Sequence, residues 1–277
     1  MKNPIRTKSK TKPGGNGNKN IRRRRSRWLR FFQNALIAVF LVLLIFCLFH
    51  LSRVFSVYEK GAKEYRQLVE ESGEVKGNEG EELTKADLDG LRRQNPETAA
   101  WIEVPGTRIS YPVMHTENNV YYLNHTFSGE ENIAGSIFME ALNAEDFTDI
   151  HTVVYGHNMR NGTMFAGLKK WREESYFEEH PYIYLTLDGG IYRYDIFSCY
   201  TTREDSAAYT LAFGSEEERE NFLRELKENR LYDTGVEVDT EDRILTLSTC
   251  TANGEKRFVV HAKYAGLENG SRNKAPE

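Results

Sequence analysis

Hydrophobic and polar residues alternate with three different rhythms along this chain. From Phe31 to Leu51 there is almost no polarity, and Ala35–Phe49 is an unbroken apolar run of 15 residues. A stretch of 21 residues in helical geometry is roughly 31 Å long, the thickness of a bilayer's hydrocarbon core. Val57–Glu71 then repeats its apolar residues at helical spacing through Val57, Ala62, Tyr65 and Leu68, which predicts an amphipathic helix. Gly73–Glu82 is rich in Gly and Glu and reads as a linker. Thr84 is placed to cap a short helix over Lys85–Arg93, which must end near Asn95-Pro96.

Beyond that point the rhythm shortens to β-type runs. They are Trp101–Val104, Ile109–Met114, Ser136–Met139, Thr152–Tyr155, Tyr182–Leu187, Ile191–Tyr200, Ile244–Ser248 and Arg257–Tyr264. Pro105-Gly106 and Asp188-Gly189-Gly190 mark turns between them. Most of the runs are too closely spaced for helical crossovers, so a closed or nearly closed β-barrel is predicted. The exception lies between Tyr200 and Ile244. There Ser215-Glu216-Glu217-Glu218 has the form of a capping box, and Phe222, Leu223 and Leu226 form one apolar stripe. That insert predicts a helix laid on the barrel, either as packing or as a wall facing a substrate.

Charge divides the chain in the same place as hydropathy. The formal net charge is −4 over 277 residues, yet residues 1–30 hold twelve Lys or Arg and no acid. The remaining 25 Lys and Arg against 41 Asp and Glu leave −16 for residues 31–277. The apolar run therefore separates a cationic tail from an acidic body. The tail is too long for a secretory leader and no A-x-A cleavage pattern follows the run, so the span reads as a retained anchor. The Arg22–Arg30 cluster places the tail in the cytoplasm and the body outside the cell. The anchor already accounts for that charge, which excludes a nucleic-acid partner from the reading. Lys2–Asn20 has the composition of a disordered tail. The expected organisation is a basic tail over 1–30, a transmembrane helix over 31–51, a helical and linker segment over 52–94, a barrel over 95–266 and a tail over 267–277.

Three segments carry reactive residue types at the ends of predicted strands. Val153-Val154-Tyr155-Gly156-His157 presents a histidine, Ile244–Cys250 ends on a cysteine, and Lys256-Arg257-Phe258 opens a strand with a cation. Strand ends of a barrel meet at its rims, so these groups can converge without a metal. A thiol of reference pKa about 8.5 is mostly protonated at neutral pH, and a nearby imidazole can take its proton and later protonate a leaving amine. A fixed guanidinium can stabilise the charge that acyl transfer builds on a carbonyl oxygen. The same Cys250 could equally be a small buried hydrophobe, or pair with Cys199 as an extracellular disulfide. Cys250 and His157 are too few ligands for zinc, and no other cofactor is implied. Cys47 sits in the apolar span. His50, His115, His125, His151, His180 and His261 have no comparable setting and read as surface or structural.

These segments resemble a known family. Thr246-Leu247-Ser248-Thr249-Cys250 is similar to the TLxTC signature of sortases, the cell-wall cysteine transpeptidases of Gram-positive bacteria. Trp101–Thr107, Tyr111-Pro112-Val113, Tyr122-Leu123-Asn124-His125, Gly135–Met139, Tyr155–Met159 and Thr163-Met164-Phe165 extend the likeness to the class B branch over about residues 95–264. The resemblance implies a mainly β fold, an eight-stranded sortase barrel with N-terminal helices and a helix-bearing insert before the cysteine strand. It implies Cys250 as nucleophile, His157 as acid/base partner and Arg257 as the positioning cation, with Arg257 preferred over Lys256. It implies a substrate groove using Asn119, Leu123, Ser248 and, within the insert, Tyr209. The partners it implies are secreted proteins with a C-terminal sorting pentapeptide, cleaved after its threonine, and an amine acceptor from a peptidoglycan precursor. A pilus-type enzyme joining subunits through lysine side chains, and a non-catalytic binding module on the same barrel, are the alternatives. Thr251-Ala252 stand where some class B members carry an acid, so an acidic helper at that point is not expected.

Overall fold

The structure is a computed structural model that describes residues 17–71, 85–251 and 254–268. It divides into two compact units on either side of Phe55 and Ser56. The first unit holds most of helix α1, Gly17–Glu71. Its apolar stretch is exposed in the chain alone, and among the described residues it is the one helix long and apolar enough to cross a membrane. The expected disordered tail Lys2–Asn20 lies outside the described residues up to residue 16, and Gly17–Asn20 belong to α1. The expected linker Gly73–Glu82 and the cap at Thr84 also lie outside them.

In the second unit all eight predicted strands are present. They are β1 (Thr98–Val104), β2 (Ile109–Met114), β3 (Ile137–Met139), β4 (His151–Tyr155), β5 (Tyr182–Leu187), β6 (Gly190–Thr202), β7 (Ile244–Cys250) and β8 (Arg257–Glu268). They close into a barrel in the order β1-β2-β3-β4-β7-β8-β6-β5, with β5 returning to β1. The last strand runs to Glu268, past the expected domain end at 266, because Ile191 and Tyr192 on the long β6 pair with Glu268 and Leu267. Two neighbouring pairs, β2 with β3 and β4 with β7, are parallel. Alternation along one strand does not specify its partner, so the sequence pattern alone leaves this pairing open.

The core is aromatic and aliphatic, with Trp101, Trp171, Phe165, Phe197 and Phe258 fully buried. The end of α1 packs on it through Tyr65 and Leu68, as the helical spacing predicts. Tyr65 donates its hydroxyl hydrogen to Gly135 O at 2.8 Å. Helix α2 is Leu88–Gln94, three residues later in onset than expected. Its cap is Asp87, whose carboxylate accepts from Gly90 N at 2.9 Å. Between β4 and β5 the chain forms a 3-10 helix, Phe165–Arg172, and a short helix α3, Glu174–Glu179. Neither shows clear periodicity in the sequence.

The insert before β7 contains helix α4, Glu216–Glu228. Ser215 Oγ accepts from Glu218 N at 3.2 Å, and the Glu218 carboxylate accepts from Gly214 N at 2.7 Å, so the capping device is real. Phe222, Leu223 and Leu226 are buried in a second cluster with Phe197, Tyr200, Ile244 and Val259. The helix is thus packing for β6, β7 and β8.

Under this insert lies a buried polar chain. His151 Nδ1 is 2.7 Å from Thr210 O and its Nε2 is 2.7 Å from Thr246 Oγ1, which is 2.8 Å from His261 Nδ1. A carbonyl can only accept, so His151 carries its proton on Nδ1. Thr246 then donates to His151 Nε2 and accepts from His261 Nδ1–H. His261 Nε2 is left buried and without a partner among the described residues. Both rings are neutral in this arrangement: burial pushes His151 down to about 4, and burial together with His151 pushes His261 well below the ordinary imidazole range.

A folded-state pKa below that of the unfolded chain means the unfolded chain binds protons first on acidification. The His151 contribution is therefore intact above pH about 6.5 and is lost as pH falls towards 4. Urea unfolding should show a loss of about 2–3 kcal/mol from His151 between pH 7 and 4.5, and a His151→Gln chain should lose correspondingly less over the same interval.

Candidate functional site

The site is set by strand register. Strand β4 lies parallel to β7 with Tyr155 beside Ser248. Counting two residues onward from each places His157 and Cys250 at the same rim. The pairing continues past the end of β4: Gly156 N donates to Ser248 O at 3.1 Å, Thr249 Oγ1 donates to Gly156 O at 2.7 Å, and Asn158 Nδ2 donates to Cys250 O at 2.9 Å. Gly156 must lack a side chain, because a Cβ there would collide with Ile137 and with the Phe165 ring. Across the next ladder Cys250 stands directly opposite Arg257 in antiparallel pairing. Beside this pair Thr251 N donates to Lys256 O at 2.8 Å, and Gly254 takes φ 75°.

Each of the three side chains has a definite setting. His157 Nε2 is 2.8 Å from Leu123 O, so the ring donates to that carbonyl and Nδ1 is the basic nitrogen of the neutral ring. Leu123 belongs to a one-turn 3-10 helix, Tyr121–Leu123. A backbone carbonyl therefore orients the imidazole, a role for which a side chain is the usual candidate. Arg257 is held from two sides. One nitrogen donates to Gly254 O at 3.0 Å, and the other pairs with Glu204 at 2.8 Å. An acid does reach this site, but from the segment after β6 rather than from beside the cysteine. Lys256 is exposed and does not line the site. Cys250 is half-buried and free, and Cys199 is buried and free, so no disulfide joins them.

A cavity of about 410 Å³ opens on this rim, and all seven residues singled out in the sequence line it: Asn119, Leu123, His157, Tyr209, Ser248, Cys250 and Arg257. Helix α4 does not, so the insert's helix is packing, and it is Glu204 and Tyr209, ahead of that helix, that bring the insert to the cavity. Tyr209 hydroxyl and Ser248 Oγ are 2.8 Å apart, and the Tyr209 ring stacks on Tyr155 at 6.3 Å. Burial raises the phenol of Tyr209 above its ordinary range, so both act as neutral hydrogen-bonding groups. Asn119 is committed internally: its Nδ2 donates to Glu140 at 2.6 Å and its Oδ1 accepts from Ala141 N at 2.8 Å.

Glu140, Tyr155 and Glu204 also line this cavity, and sequence reasoning missed them. Glu140 is 9% exposed and accepts from both Asn119 and Tyr155, the latter at 2.8 Å. Burial and the Glu140 carboxylate together raise the Tyr155 phenol. A lone acid just after a short apolar run, such as Glu140 after Ile137-Phe138-Met139, is the signal that could have marked it, since a strand end facing a cavity is where a carboxylate can stay partly solvated.

Among the described residues no group of His, Cys, Asp and Glu could hold a metal ion. The arrangement offers a thiol, an imidazole and a tethered guanidinium on one concave wall. This can perform nucleophilic acyl chemistry with proton transfer to and from the ring.

Comparison with known proteins agrees with this chemistry. The family model of the sortase domain matches residues 102–265. The chain is 35% identical to sortase B of Listeria monocytogenes over 182 residues, 64% of this chain and 73% of that protein. It is 31% identical to sortase B of Staphylococcus aureus over 209 residues, 74% of this chain and 82% of that protein. Among solved structures it is similar to Clostridium perfringens sortase B, at 36% identity and TM-score 0.61 over 64% of this chain and 99% of that one. A Staphylococcus aureus sortase B–substrate complex matches with TM-score 0.69 at 30% identity, over 76% of this chain and 98% of that one.

The two cysteines of the barrel should differ in reactivity. Burial pushes the Cys199 thiol up to about 11, and its sulfur is already engaged with Trp171 O at 3.0 Å. Iodoacetamide at mildly alkaline pH should alkylate Cys250 and leave Cys199 unmodified in the folded chain, as read by peptide mass spectrometry.

Proposed function

The chain belongs to the sortase family, in its class B branch, and from that premise we propose a membrane-anchored enzyme whose Cys250 cleaves a sorting pentapeptide and carries the acyl part as a thioester. Membership makes it a cysteine transpeptidase of the cell wall. The assignment of roles rests on one observation: Cys250 is opposed to Arg257 in the β7–β8 ladder and shares a rim with His157 through the parallel β4–β7 ladder.

In the proposed reaction the sorting peptide lies in the 410 Å³ cavity against Leu123, Tyr209 and Ser248, with Asn119 shaping the wall. A Staphylococcus aureus relative solved as a substrate complex supports reading the cavity as a peptide site. His157 Nδ1 takes the thiol proton of Cys250, and the thiolate sulfur attacks the carbonyl carbon of the motif's threonine. The C–S bond forms, and Arg257 stabilises the negative charge that develops on the carbonyl oxygen. His157 delivers a proton to the departing amine nitrogen as the C–N bond breaks. An acceptor amine then attacks the thioester, its proton passes to His157, and the thiolate leaves as the new amide forms. Glu204 and Gly254 O act on the chemistry through Arg257 by fixing the guanidinium's plane.

The anchor is proposed from the apolar helix within α1, with the basic tail cytoplasmic and the barrel outside the cell. The domain assignment is likewise a proposal: tail over 1–30, span over 31–51, connecting segment over 52–94, and catalytic barrel over 95–266 with its last strand continuing to Glu268.

Cys250→Ala should abolish both cleavage of sorting-motif peptides and the covalent peptide adduct seen by intact mass. Cleavage retained in that variant would remove Cys250 as nucleophile. Arg257→Lys should lower kcat/KM by about 10²-fold, because a point charge replaces a planar donor pair. Turnover equal to wild type would take Arg257 out of the reaction. On intact cells, external protease should remove a C-terminal tag and spare an N-terminal one; the reverse pattern would overturn the orientation.

A further inference from the structure

A second cavity, of about 430 Å³, meets the same sulfur and imidazole. It shares His157, Thr249 and Cys250 with the peptide cavity, and its other walls include Arg160, Lys169 and Arg172. The two cavities carry opposite electrostatics. The peptide cavity is lined by Glu140 and Glu204, and its Arg257 is paired with Glu204. The second is lined by three cations and no acid among the described residues. None of the three is in an ion pair with a described carboxylate. This is unusual in a body whose charge over residues 31–277 is −16.

Local structure aims the cations at one place. Lys169 and Arg172 stand three residues apart on the 3-10 helix Phe165–Arg172, so they share a face. The Arg172 guanidinium lies 5.1 Å from the centroid of the Phe258 ring, a buried wall residue of the same cavity. Arg160 lines the same cavity from the loop that carries His157. A single exposed cation is ordinary surface. Three cations converging on a concavity that contains a nucleophile focus the field there and raise the local concentration of anions.

We propose that this second cavity receives the acceptor, and that the acceptor is a short peptide amine which also carries free carboxylates. This rests on the reading of Cys250 as the thioester-forming residue. With the peptide acyl group held in one cavity, the other gives an amine an approach to the thioester carbon from the opposite side. Its nitrogen attacks that carbon, the C–S bond breaks, and the nitrogen's proton passes to His157, which gave its own to the first leaving group. Carboxylates on the acceptor pair with Arg160, Lys169 and Arg172 and hold the amine at that carbon. A volume of about 430 Å³ lies in the range of small-ligand sites, about 300–1,000 Å³, and suits a short peptide rather than a folded protein.

The test uses the full chain in detergent, a sorting-motif donor peptide, and two acceptors: a short peptide amine ending in two free carboxylates, and its diamide. Transfer products are quantified by mass spectrometry at low salt. Wild type should show an acceptor KM about tenfold lower for the diacid. In the triple variant Arg160→Gln, Lys169→Gln, Arg172→Gln the ratio of the two KM values should fall to about one. The charge-reversed pair Arg160→Glu, Arg172→Glu should instead favour an acceptor bearing two amines in place of the carboxylates, a gain that an unfolded protein could not show. Equal KM values in wild type, or a diacid preference surviving in either variant, would overturn the proposal. A wild-type chain that forms no donor adduct on Cys250 would overturn the reading beneath it as well. An adduct resolved equally by both acceptors would overturn this inference alone.

Discussion

The parallel pairing of β4 with β7 is the constraint from which the site follows. Five successive residue pairs, His151 with Ile244 through Tyr155 with Ser248, lock two strands that are far apart in sequence. A slip of one residue would turn every side chain of the slipped strand to the opposite face, putting core residues such as Leu245 and Leu247 outside the barrel and turning the cysteine away from His157. The rows of fully buried residues on these strands make that slip prohibitively costly. The juxtaposition of His157, Cys250 and Arg257 is therefore maintained by the hydrophobic core, and the rim itself needs few dedicated supports.

Those supports are mostly backbone. Leu123 O orients the imidazole, Gly254 O holds one side of the guanidinium, and Asn158 fastens the carbonyl of Cys250. Backbone groups carry no rotamer entropy of their own, so once the barrel closes they position side chains at little added cost. Side-chain polarity is concentrated instead in the wall of the 410 Å³ cavity, where buried Glu140 ties Asn119 to Tyr155 and Tyr155 stacks on Tyr209. A wall built this way is stiff and presents fixed hydrogen-bonding edges.

The helix-bearing insert serves the same end from outside. Helix α4 covers β6, β7 and β8 with Phe222, Leu223 and Leu226, while Thr210, just after Tyr209, accepts from His151 at the base of β4. Tyr209 is thus carried by a segment that is pinned to the strand leading to His157. The neutral His151–Thr246–His261 chain joins β4, β7 and β8 through side chains as well as through their ladders. The three strands that bear His157, Cys250 and Arg257 are those it connects.

Much of this molecule is legible in one dimension. The apolar span, the eight strands, the amphipathic turns ending in Leu68 and the capped helix of the insert follow from periodicity and local hydrogen-bonding chemistry, because those preferences act between residues a few positions apart. The cysteine, histidine and arginine are legible too, since each sits where an apolar strand begins or ends. Tertiary structure alone decided the rest. It made β2–β3 and β4–β7 parallel, brought Glu204 to Arg257 and Glu140 to Tyr155, assigned the orienting of His157 to a carbonyl, and gathered Arg160, Lys169 and Arg172 around a second opening. Each of these is a contact between segments distant in sequence. Which distant segments meet is determined by how the whole apolar surface can be buried at once, a property of the closed barrel that no local pattern encodes.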